Sequence, residues 1–252
     1  MFERIKPTVV IHLAATVGGL FANMSDKVKF FEDNIAINNN VIKSSYQVGV
    51  ARLVCVLSTC IYPDRVDKYP IEEHSLHEGP PHQSNEGYAY AKRMCEVQCR
   101  LYNDQCGTDY ICVVPTNLYG PNDSYTEATS HVVAALIRRA HEISKAGGTE
   151  LSVWGSGKPL RQFCYTPDLA LLLSWVAIRK PINGLKCKDD FSLIALVPEK
   201  ENTIAELAQH VAKEMQIEKL AFDDSKADGQ LRKTLSNQTL NKFFKNFEFT
   251  TL

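Results

Sequence analysis

RLVCVLS (Arg52–Ser58), YAYAKRMCEVQCRLYNDQ (Tyr88–Gln105) and YICVVP (Tyr110–Pro115) follow one another along the chain, and their reading decides the fold. The first and third are short, β-branched apolar runs, the pattern of strands buried on both faces. Between them, after a long Pro/His/Gly-rich loop that starts at CIYPD, lies a segment with helical character. A strand, a helix and a second strand in that order make the crossover unit of a parallel sheet. Outward from this unit the alternation continues. TVVIHLAA (Thr8–Ala15) reads as another buried strand, and residues 26–48 read as a helix, with Phe31, Ile35, Ile42 and Tyr46 at helical steps. Downstream, residues 128–146 read as a helix ended by Gly147 and Gly148, and LSVWGSG as a strand and turn. TPDLALLLSWVAI reads as a helix with Thr166 as N-cap and Pro167 in the first helical position. FSLIALV reads as a strand, and TIAELAQHVAKEM as a helix opened by a Thr203–Glu206 capping box. A polar C-terminal stretch carries one short amphipathic piece around Leu240–Phe244.

The expected fold class is therefore α/β. A Rossmann-like, doubly wound parallel sheet occupies residues 1–125, and a smaller lobe lies mainly in 126–252, with a helix and a strand returning to the sheet. The chain has 252 residues, 44% apolar and 23% charged, as in ordinary globular proteins, and a net charge of −1. That balance excludes a basic field for nucleic acid. No apolar run is long enough to span a bilayer, so no membrane partner is expected. Eight cysteines occur without a CxxC pair, which predicts mostly buried thiols in a reducing, cytoplasmic setting. His74, His77 and His82 cluster in the long loop, but no cysteine or carboxylate set at ligand spacing accompanies them, so no metal is expected.

Tyr88 and Lys92 carry the chemical signal. Four residues apart on a helix, they share a face, whereas Tyr90 points elsewhere. A neighbouring ammonium favours the phenolate, so Lys92 is expected to lower the Tyr88 pKa and tune it for proton transfer at a carbonyl oxygen. An isolated YxxxK is commonly just a surface pair. Here Ser58 and Cys60 follow one strand and Asn117 follows the next, with the Tyr88 helix between them. Ligands bind at the carboxyl ends of such strands, so all these groups can converge on one mouth.

The strand ending HLAA, the S-x-C after the next strand, YxxxK and PTNLYGP together resemble the extended short-chain dehydrogenase/reductase family. HLAATVGGLFAN, LSTCIYP, PTNLYGPND, SHVVAALIRR, VWGSGKPLRQF and SKADGQLRK resemble its GDP-L-fucose synthase branch, from about Val9 to about Lys233. The resemblance implies epimerisation of a GDP-4-keto-6-deoxy sugar at C3 and C5, then NADPH-dependent reduction at C4. It assigns Cys60 as base and His131 as acid in the first stage. In the second, Tyr88 is the proton donor, Ser58 orients the oxygen, and Lys92 also holds the nicotinamide ribose. Val56, Leu57, Ser58 and Thr59, with Pro115, Thr116, Asn117 and Leu118, line the nicotinamide side, and His131 also borders the NADP. Arg139, Trp154, Arg161 and Asp228 contact the GDP-sugar, the arginines suiting a diphosphate. The resemblance further implies a homodimer paired through the helices at 26–48 and 88–105, or a mixed dimer with a full-length chain.

The glycine-rich turn that cradles the cofactor diphosphate in that family has no counterpart here. The chain begins at what should be the fourth strand, roughly 60 residues in, by two βαβ units of ~30 residues each. Gly18-Gly19 follows the wrong strand and lacks the GxxGxxG spacing. The expectations that follow are an unpaired apolar edge at Thr8–Leu13, weak NADPH binding and little or no activity for the chain alone. The alternative is a non-catalytic form that dimerises with or regulates a full-length enzyme.

Overall fold

Four of the apolar runs assemble into one parallel sheet. The computed structural model describes residues 1–127, 129–178, 192–245 and 247–252. Strands β1 (Val9–His12), β2 (Arg52–Val56), β3 (Tyr110–Pro115) and β7 (Leu193–Leu196) lie in that order, every neighbour parallel. Helix α1 (Phe2–Ile5) precedes β1. The β1–β2 crossover carries α2 (Leu20–Ser25) and α3 (Lys27–Gln47), and the β2–β3 crossover carries α4 (Glu86–Cys106).

Alternate residues of the central strands face opposite layers. Leu53, Cys55, Cys112 and Val114 pack with Ile42 of α3 and Ala89, Cys95 and Cys99 of α4. Val54, Ile111 and Val113 pack on the other side against Leu169, Leu172 and Val176 of α6 (Thr166–Ile178). Every residue of β3 is buried, which accounts for its unbroken apolar sequence. Helices α3 and α4 approach closely at their N-termini. A Cβ on Gly87 would lie 2.2 Å from the Lys27 carbonyl oxygen, so only glycine fits there.

The rest of the chain builds around β4 (Asn117–Tyr119), α5 (Val132–Lys145), β5 (Glu150–Trp154), β6 (Leu160–Tyr165), β8 (Glu201–Thr203), α7 (Ile204–Glu214) and β9 (Lys219–Asp223). Strands β4, β6 and β8 form one small sheet and β5 pairs with β9 in another. A separate core joins Leu136 and Ala140 of α5, Leu151 and Val153 of β5, and Leu207 and Val211 of α7. The Thr203–Glu206 capping box opens α7 as expected. Gln162 of β6, with no exposed surface, ties several pieces together. Its side chain donates to the Pro198 and Leu235 carbonyls and accepts from the Leu235 amide, while its own carbonyl accepts from Thr116 and Asn117.

Several boundaries differ from the sequence reading. β1 ends at His12 rather than Ala15 and is not buried throughout. It is an edge strand, with Val9 and Ile11 more than one-third exposed. α5 starts at Val132, because His131 is extended and takes the N-cap position. Within PTNLYGP, Asn117–Tyr119 form the further short strand β4, to which the sequence reading assigned no element. The polar C-terminal stretch, with α8 (Gln238–Phe243), folds back through Phe244, Phe247 and Phe249 to stack beside Trp175. Scattered aromatics in a polar context carry no periodicity, so this docking has no sequence signature. Phe191 and Cys187 lie outside the described residues. Among those described, no helix is long and apolar enough to cross a membrane.

Candidate active site

A cleft of about 950 Å³ opens where the carboxyl ends of β2 and β3 meet α4, α5 and the second lobe. β2 ends at Val56, and Leu57 and Ser58 lead into a 3₁₀ turn over Thr59–Ile61. Ser58 caps this turn, its hydroxyl accepting from the Cys60 amide at 3.5 Å. Cys60 is 5% exposed, at the back of the cleft. Pro115, Thr116, Asn117 and Leu118 form the next wall, held by the bonds from Thr116 and Asn117 to Gln162.

From α4, Tyr88 and Lys92 reach the same cleft. The Lys92 Nζ stands 5.9 Å from the Tyr88 ring centroid and donates to the Val56 carbonyl at 2.9 Å. Lys92 is 2% exposed, and that burial lowers its pKa. The expected depression of the Tyr88 pKa is overturned. Burial is the dominant influence on the phenol and pushes its pKa up, with Cys60 and Cys95 adding to the rise. Spacing reveals the shared face but not the loss of solvent, which outweighs the ammonium nearby. Burial likewise raises the Cys60 pKa, opposed first by Lys233 and then by Ser58 and Lys92.

The second lobe supplies the facing wall. His131, exposed at the N-cap of α5, lines the cleft and makes no side-chain cap bond. Arg139 donates to the Ser152 and Ala135 carbonyls and lies 5.0 Å from the Trp154 ring centroid. Arg161 donates to the Gln230 carbonyl at 2.6 Å and to the Leu160 carbonyl at 2.8 Å, and burial pulls its pKa down to about 10. Asp228 borders the cleft, but both its carboxylate oxygens are engaged, by the Ser156 amide at 2.8 Å and the Ser156 hydroxyl at 2.7 Å. It thereby holds the turn at Gly155 (φ 85°), where a Cβ would meet its Oδ1.

The structure thus brings every residue given a catalytic, cofactor-side or substrate role above to one cleft, from both walls. It also adds Lys233, which the sequence reading quoted in SKADGQLRK without assigning a place. Its amine has no hydrogen-bond or ion-pair partner among the described residues. Burial pulls its pKa to about 8, and Cys60 is the largest influence in the other direction. Its distance along the chain from Cys60 left no local pattern to find it by.

The chain matches the NAD dependent epimerase/dehydratase family over residues 1–189. It is 45% identical over 252 residues to a GDP-L-fucose synthase of Dictyostelium discoideum, covering all of this chain and 76% of that protein. A probable GDP-L-fucose synthase of Drosophila melanogaster is 44% identical over 261 residues, covering all of this chain and 78% of its own. The crystal structure of a GDP-L-fucose synthetase from Naegleria fowleri bound to NADP superimposes with a TM-score of 0.85 at 40% identity, over 99% of this chain and 74% of that one.

Proposed function

The chain belongs to the NAD dependent epimerase/dehydratase family, in its GDP-L-fucose synthase branch, and on that premise we propose that it is built to convert GDP-4-keto-6-deoxy-D-mannose to GDP-L-fucose. The observation that carries the reading is the convergence of two sets of groups on one cleft: Cys60 and His131, and Ser58, Tyr88 and Lys92. A C4 ketone acidifies the C3 and C5 hydrogens, so a thiol base and an imidazole acid from different walls can invert each centre. Lys233 beside Cys60 favours the thiolate that this step requires.

In the second stage Ser58 donates to the C4 oxygen and Tyr88 gives it a proton. A raised phenol pKa keeps the Tyr88 proton in place at neutral pH, which suits an acid. The cofactor is NADP. Its nicotinamide end fits the strand ends Val56–Thr59 and Pro115–Leu118, with the Lys92 amine between them. When bound it supplies a hydride for C4. Arg139, Arg161 and Lys233 give the cleft three cations for a sugar diphosphate, and Trp154 an aromatic face. On this proposal residues 1–125 serve mainly the cofactor and 126–252 mainly the sugar nucleotide.

The cofactor contacts assigned on this reading are those of the nicotinamide end. A second reading, pairing with a full-length copy or with itself, is favoured by apolar side chains left on α3 and α4. Val28 is 69% and Leu101 53% exposed, with Phe31, Tyr46 and Met94 also uncovered. A cytoplasmic location goes with this chemistry. The test is turnover of the keto sugar with NADPH in D₂O. GDP-L-fucose carrying deuterium at C3 and C5 is expected, and product without that label, or none at substrate-level enzyme, would refute the assignment. Co-expression with a full-length relative followed by size-exclusion separates the second reading, which fails if no mixed species elutes.

A further inference from the structure

Under the sheet, on the side away from α6, four cysteines meet outside the cleft. Cys55 of β2 and Cys112 of β3 are in-register neighbours across the two strands. Cys95 and Cys99 stand one turn apart on α4, on the face turned toward those strands. None of the four is more than 1% exposed. The sulfurs of Cys55, Cys95 and Cys99 all lie within 4.8 Å of one another, with Cys99 and Cys55 at 3.6 Å. The Cys112 sulfur lies outside that 4.8 Å group, yet near enough to act electrostatically on the Cys99 thiol.

We propose that Cys55, Cys95, Cys99 and Cys112 form a structural site for one thiophilic metal ion of the zinc(II) type, clamping α4 to the sheet. A tetrahedral thiolate site with metal–sulfur bonds near 2.3 Å sets its sulfurs about 3.8 Å apart. The 3.6 Å Cys99–Cys55 separation is close to that edge. Two sulfurs from successive helical turns and one from β2 are already gathered, and Cys112, in register with Cys55 on the adjacent strand, is the fourth ligand that an ion would draw in. An all-sulfur set selects soft ions such as zinc over magnesium or calcium. Cysteines serving only as small apolar side chains have no need to gather sulfur to sulfur. The buried Lys92 ammonium interacts electrostatically with Cys55, Cys95 and Cys112 and offsets part of the negative charge of four thiolates. Sequence spacing hides the site, because its ligands come from three elements and contain no CxxC pair.

The site is placed to matter. Cys55 immediately precedes Val56, whose carbonyl receives the Lys92 amine, and Cys95 follows Lys92 by one turn. An ion here fixes the register between the helix carrying Tyr88 and the strand leading to Ser58. Binding releases the thiol protons to solvent, and the burial of all four sulfurs means that loading accompanies folding.

The test uses the full chain, expressed with added zinc and, separately, refolded anaerobically with Co²⁺. About one zinc per chain that survives dialysis is expected, together with thiolate-to-cobalt charge-transfer bands and tetrahedral visible bands in the cobalt form. Cys99→Ala and Cys112→Ala should each lower metal retention roughly tenfold or more, while Cys106→Ala, at an exposed thiol, should leave it unchanged. If the core variants fail to fold, the cobalt spectrum of the unaltered chain decides. Folded chain without zinc and without cobalt bands would overturn the proposal, as would a Cys95–Cys99 or Cys55–Cys112 disulfide found in its place, or full metal retention in both folded core variants.

Discussion

Replacing Lys233 with methionine should make the protein more stable at neutral pH while weakening its hold on substrate. The lysine is set into the cleft wall with no hydrogen-bond or ion-pair partner among the described residues, and burial brings its pKa from 10.5 to about 8. In the unfolded chain it returns to its ordinary value. Between those two values the unfolded state binds more protons, so stability rises with pH. Below pH 8 the folded state carries the full penalty of the charged amine, and above 10.5 it carries none. At about 1.4 kcal/mol for each pH unit, the full penalty corresponds to about 3 kcal/mol. The side chain keeps some exposure at the cleft, and solvent screening brings the figure to roughly 1–2 kcal/mol. Urea unfolding of Lys233→Met and the unaltered chain at pH 7 and pH 10.5 reads this directly. A gain of that size at pH 7, nearly gone at 10.5, is expected. A variant that is less stable at pH 7, or whose gain does not change with pH, would refute the reasoning. Function should move the other way, with KM for the GDP-sugar up about tenfold for a lost charge contact of ~1.4 kcal/mol. Alkylation of Cys60 at pH 8 should also slow, because Lys233 is the largest influence favouring its thiolate.

Tyr88→Phe should lower C4 reduction by about 10²–10⁴-fold while deuterium exchange at C3 and C5 persists, measured by NADPH oxidation and by NMR of recovered substrate. Gly87→Ala puts a methyl group into the Lys27 carbonyl, so the α3–α4 contact must open. A fall of about 1–3 kcal/mol is expected in chemical denaturation, with activity impaired because Tyr88 is the next residue. Asp228→Ala strips the Ser156 amide and hydroxyl of their acceptor. It should cost about 1–3 kcal/mol of stability and raise KM more than it lowers kcat, which steady-state kinetics separates.

How much of this was legible in the sequence depends on range. The parallel sheet was, because β2, α4 and β3 each carry their own periodicity and follow one another directly. The shared face of Tyr88 and Lys92 was, because four residues on a helix fix it. The direction of the phenol's titration was not, since it depends on solvent removed by Cys60, the 3₁₀ turn and the second lobe, none of them local to YAYAK. Lys233 and the four-cysteine cluster escaped for the same reason. Asp228 could be placed at the cleft from its surrounding motif, but its grip on Ser156 could not, being a contact between segments far apart in the chain. The C-terminal tail read as polar apart from the amphipathic piece around Leu240–Phe244, because Phe247 and Phe249 follow no periodicity and their contacts are made only in the fold.

The positions of the two tryptophans give this chain a pair of built-in optical reporters. Trp154 stands 42% exposed at the lip of the cleft, between the cationic ends of Arg139 and Lys226 and against the edge of Phe21. Trp175 sits on the far side of the sheet under the folded-back tail, in contact with Phe244. Emission from the first senses what enters the cleft, and emission from the second senses whether the tail is docked. With one indole replaced by phenylalanine at a time, ligand capture and tail release can be followed in the same chain as separate signals, without an added dye.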